Sequence, residues 1–139
     1  MTGIDTRAVL FGALVDNLGT FIVGPLFGLA VAQVSGAQSD EDLRLVIEGS
    51  AALLLVQMAL GLAMTGLGAY TAATLAKGNE RANAFAVGVV AVFVSFTLTF
   101  LAPESAPFWV EAAGLLLLIP VAFLGGEARL AVARMGRTK

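Results

Sequence analysis

The sequence predicts an all-α fold, a four-helix transmembrane bundle with both termini on the cytoplasmic side. Three observations predict it. Four apolar stretches are each long enough to cross a bilayer core, which takes about 20 helical residues. Only 13% of the 139 residues are charged while 58% are hydrophobic, against about a quarter charged in ordinary soluble domains. Lys and Arg fall almost entirely on one side of the implied spans.

A soluble fold of this length has too little interior to hide so much apolar surface, so lipid is the expected solvent. The spans are expected at about 8–34, 49–76, 82–102 and 108–128, within a single transmembrane domain covering 1–139. Their uninterrupted apolar character argues for helices over membrane strands, which alternate over about 10 residues. The start, "MTGIDTR", balances its one basic residue with Asp5. The apolar run behind it is too long for the core of a signal peptide, so a retained first helix is expected.

Turn residues mark the boundaries. In "SGAQSDED", Ser39 is the expected N-cap, with Asp40, Glu41 and Asp42 in a first turn whose dipole favours negative charge. In "AKGNER", Gly78 suits the end of one helix and Asn79 the start of the next. In "APESAP", Pro103 and Pro107 part the third span from the fourth, which is expected to run on into the basic tail. If the second helix starts at Asp40 and continues to Ala76, it is roughly 55 Å long. Its first turns are then wet and amphipathic, or the helix is strongly tilted.

Arg7, Lys77, Arg81, Arg129, Arg134, Arg137 and Lys139 share one side of a four-span layout, and Arg44 alone takes the other. The cytoplasmic excess of Lys and Arg therefore puts both termini on the cytoplasmic side of a cell membrane, in bacteria the inner membrane. Asp40, Glu41, Asp42, Glu48, Glu104 and Glu111 face outward, and Phe108 and Trp109 suit the outer interface.

Small and polar residues recur at four-residue spacing. The first span carries Gly12, Asp16, Thr20, Gly24, Gly28 and Ala32. The second carries Gln57, Gly61, Thr65, Ala69 and Ala73, and the third Val87, Ala91, Ser95 and Thr99. Such ridges let helices approach closely, within the chain or against a partner. Pro25 and Pro120 interrupt the first and fourth spans and free the carbonyls of Phe21 and Leu116.

The candidate functional residue is Asp16, in "LVDNLGTF". It lies nine residues past Arg7, about 13 Å into the bilayer. A carboxylate at that depth needs a partner, water or a proton, and is a functional candidate by default. No basic residue of this chain shares its depth. Tyr70 is expected at a similar level and its hydroxyl is a candidate partner; Asn17 and Thr20 complete the candidate site. Three readings stand open: a proton-relay or cation-binding site, a carboxyl group that merely hydrogen-bonds inside the bundle, and an ion pair with a basic residue of another membrane protein. Glu127 is expected at a solvated helix end near Arg129 and Arg134.

The run "GAYTAATLAKGNERANAFAVGVV", 68–90, resembles the end of the second helix in small bacterial four-helix integral membrane proteins. They carry Gly-x-Tyr-x-Ala-Ala there before a short basic loop, matched here by Gly68, Tyr70, Ala72 and Ala73, with Thr74 where Arg is usual. The resemblance implies no activity.

The chain has no Cys and no His, which excludes disulfides, thiolate chemistry and His-ligated metals. No nucleophile–base pair, metal cluster or phosphate loop is legible, so neither catalysis nor a cofactor is expected. The leading expectation is a protein acting through helix–helix contacts, as a homo-oligomer or an accessory subunit of a larger membrane protein. Gly12, Gly24, Gly28, Gly61 and Thr65 are its packing residues. The alternative is a small proton- or cation-coupled transporter or channel centred on Asp16. The lipid bilayer is the common partner, and no nucleic acid is expected.

Overall fold

The computed structural model describes residues 3–76, 78–101 and 106–136. Lys77, Pro103, Glu104, Arg137 and Lys139, which entered the loop and orientation reading, lie outside the described residues. The described chain is all-α, with five helices: α1 (Thr6–Ser35), α2 (Asp40–Glu48), α3 (Ala51–Leu75), α4 (Glu80–Leu101) and α5 (Phe108–Met135). The four long ones are each long and apolar enough to cross a membrane.

Local chemistry explains the ends. Asp5 caps α1 by accepting from the amides of Arg7 (3.0 Å) and Ala8 (3.3 Å). The helix stops at Gly36, whose φ of 75° is left-handed and lets its N–H return to the Ala32 carbonyl at 2.9 Å. Ser39 caps α2 as expected, accepting from the Asp42 amide at 3.1 Å. Left-handed Gly78 and Asn79 turn the chain into α4. Neither Pro25 nor Pro120 ends its helix.

One boundary corrects the sequence expectation. The second helix does not run unbroken from Asp40. It stops at Gly49, and Ser50 adopts extended backbone and recaps α3 by accepting from the Leu53 amide. The expected wet, amphipathic turns therefore become a separate helix, with an Arg44–Glu48 ion pair on it and Leu43 beside Gly28 of α1.

The long helices pack antiparallel in chain order, with α3 at the centre against α1, α4 and α5. The buried cluster is built mostly from alanine: Val9, Ala69, Ala72, Ala73, Ala84, Val87 and Ala122. All seven lie in the half of the bundle that carries the chain termini. Small side chains let the backbones close up there. A Cβ on Gly12 would lie 2.5 Å from the Gly68 carbonyl oxygen and 2.9 Å from Val87 Cγ2, so only glycine fits the crossing of α1 and α3. Two polar links tie the same end together. The Asp5 N–H donates to buried Asn83 Oδ1 at 2.8 Å, joining α1 to α4. The Arg81 guanidinium pairs with Glu127, with Nη2 3.1 Å from Oε2, joining α4 to α5. Glu127 is thus held across the bundle and not simply solvated beside Arg129 and Arg134.

Candidate functional site

The four-residue ridge of α1 packs antiparallel against the ridge of α3 and against Gly68 beside it. Gly12 packs on Gly68, Asp16 on Thr65 and Gly68, and Thr20 and Gly24 share a cavity with Gln57 and Gly61. The crossing is tight at Gly12 and loose farther along. A Cβ on Gly24 or Gly61 would meet nothing within 4 Å, and one on Gly28 only Leu43 at 3.5 Å. Asp16 lies where the tight half gives way to the loose half.

Asp16 is 6% exposed and is the only buried acidic or basic residue among those described. Its Oδ1 accepts from the Thr65 hydroxyl at 3.0 Å. The same hydroxyl lies 3.4 Å from the Gly61 carbonyl. This pair of acceptors suits both charge states of the carboxyl group. Ionised, Asp16 takes the Thr65 proton. Protonated, it can donate to Thr65 Oγ1 while that hydroxyl turns to Gly61, because a hydroxyl offers one donor and two acceptor lone pairs.

Beside the pair is a cavity of about 190 Å³, lined by Asp16, Asn17, Thr20, Phe21, Gly61, Thr65 and Ser95 together with apolar residues of α4 and α5. Asn17 lines it but spends one amide hydrogen on the Ala13 carbonyl, 2.7 Å away. Three of the four expected site residues, Asp16, Asn17 and Thr20, are therefore together. Tyr70 is not among them. It lies five residues beyond Thr65 on α3, lines none of the cavities around Asp16, and its hydroxyl has no hydrogen bond among the described residues. Thr65, expected only as a packing residue, takes the role foreseen for Tyr70. Ser95 and Thr99 were visible only as part of a ridge; they line cavities. The described residues contain no group of three acidic, His or Cys side chains placed to hold a metal ion.

No protein-family model, curated protein or solved structure matches the chain.

Proposed function

We propose that the chain is a four-span integral membrane protein, N-in and C-in, in which Asp16 is the proton-exchanging or cation-binding centre of a small transporter or channel. The proposed role is transport, not catalysis. One observation carries it: a lone carboxyl group, shielded by its own chain, hydrogen-bonded to Thr65, and facing a partly polar cavity. A carboxyl group that costly at depth is best accounted for by use. The orientation rests on Arg7, Arg81, Arg129 and Arg134 sharing the end with the termini, with Arg44 at the other.

The test is flux into proteoliposomes loaded with a pH-sensitive dye, driven by a pH gradient or a potassium diffusion potential. The wild-type protein is expected to carry protons or a coupled cation. Asp16→Asn is expected to abolish that flux with its helical circular dichroism unchanged. Equal flux in both, or none in either, overturns the proposal.

A second reading, assembly as a homo-oligomer or as an accessory subunit, is favoured by Gly24. That glycine is exposed on α1 beside Pro25, with room for a partner helix. Native mass spectrometry of protein extracted gently from its host membrane tests this reading. Multiples of one subunit mass show assembly with itself, a larger co-extracted membrane protein shows the accessory role, and a monomer alone overturns both.

A further inference from the structure

We propose that water reaches Asp16 from one end of the bundle only, the end opposite both chain termini, through a largely apolar half-channel that is edged by hydroxyl groups and converges on Gly61. The proposal rests on the reading of Asp16 as a proton-exchanging centre and adds a direction to it.

Three cavities share Gly61 as a wall. The first, about 190 Å³, holds Asp16 and Ser95. The second, about 80 Å³, lies between α1 and α3 at Thr20 and Gln57. The third, about 240 Å³, continues past Ser95 and Thr99 to Glu111 in the first turn of α5. The first is large enough to admit water, which needs roughly 10–15 Å³, and its lining is mostly apolar with Asp16, Thr65 and Ser95 among it.

The hydroxyl groups point to water independently. In an apolar span, a hydroxyl with no other partner donates to the carbonyl four residues back. Thr71, Thr74 and Thr97 do so, to Leu67, Tyr70 and Phe93 at 2.8, 2.9 and 2.8 Å. None of the three lines the three cavities. Thr20, Ser95 and Thr99 do line them, and none has a hydrogen bond among the described residues; neither has Gln57. Ser95 and Thr99 are half-buried, and Thr20 and Gln57 are exposed. Each cavity is bordered by at least two side chains without a protein partner among the described residues, as a bound water requires.

The other direction is shut. Between Asp16 and the termini the helices close on one another at Gly12 and Gly68, at Gly125 and Gly66, and at Gly126 against the Ala84 side chain; the cavity of about 180 Å³ at that end, lined by Glu80, Arg129 and Arg134, does not include Asp16. A barrier on one side and a wet route on the other is the arrangement in which a carboxyl group exchanges protons with one compartment at a time.

The chain has no cysteine, so single cysteines can be introduced without removing others. Ser95→Cys, Thr99→Cys and Phe93→Cys are reconstituted in vesicles whose orientation is read from protease cleavage of terminal tags. A membrane-impermeant cationic methanethiosulfonate reagent is then added to one side at a time. The expected result is that Ser95→Cys and Thr99→Cys react from the side opposite the termini at least tenfold faster than Phe93→Cys, whose native side chain is 70% exposed on the outside of the bundle. Ser95→Cys reports on the Asp16 cavity itself, which it lines. Reaction of both variants no faster than Phe93→Cys, or faster from the terminal side, overturns the half-channel. The labelling reads water access and not flux. Failure of the half-channel therefore shows here, and failure of Asp16 as the centre shows in the Asp16→Asn flux.

Discussion

At the scale of the residue, the site rests on an exchange of partners. Counting residues from the span ends placed Tyr70 near the level of Asp16, but the Gly12–Gly68 crossing sets the register: Thr65 lies opposite Asp16, and Tyr70 sits five residues, roughly 7.5 Å, nearer the termini. Thr65→Val removes the donor while keeping the shape. It is expected to cost about 1–3 kcal/mol in a denaturant titration in detergent, because a buried acceptor loses its partner. Thr65→Ser keeps the hydroxyl and is expected to stay closer to wild type. Glycines of the two facing ridges separate in the same assay. Gly12→Ala sets a Cβ against a backbone carbonyl at 2.5 Å and is expected to cost about 1–3 kcal/mol by overpacking. Gly61→Ala enters open space and is expected to be neutral or stabilising, since alanine suits a helix interior better by about 1 kcal/mol.

At the scale of the element, capping residues act where their side chains replace missing helix bonds. Ser39 was legible because acidic residues follow it directly. Ser50 was not, because it precedes a long apolar run and a lone serine does not announce a break. Only its extended backbone shows that α2 and α3 are two helices. Ser39→Ala is expected to speed hydrogen exchange at the Asp42 amide about fivefold, the equivalent of a cap worth ~1 kcal/mol, with the amides of α3 unchanged. A change that spreads into α3 would mean that the two helices form one cooperative unit. The short helix carries Asp40, Glu41, Arg44 and Glu48 beside half-buried Leu43 and Ile47, a pattern suited to a membrane surface and not to its core.

At the scale of the whole molecule, the bundle has a packed half and a hollow half. Alanine and glycine close the end with the termini, and hydroxyl-bearing ridges border cavities at the other. Arg7, Arg81, Arg129 and Arg134 gather at the packed end, where Arg81 also ties α4 to Glu127. Tags on the two termini are expected to be cleaved from the same face of sealed vesicles, and in cells from the cytoplasmic face. Cleavage from opposite faces would show that one long helix does not cross.

The sequence by itself determined four helices long and apolar enough to cross a membrane, their approximate ends, and a carboxyl group within the first of them. Those follow from composition and from chemistry within a few residues, which is local. The ridges were legible too, as spacing along each helix. Only the tertiary structure decided which ridges meet, that Thr65 holds Asp16, and that one crossing is tight where its continuation is open. Those depend on the relative rotation and separation of helices distant in the chain. Helical periodicity names the residues on a face and leaves open which face it meets.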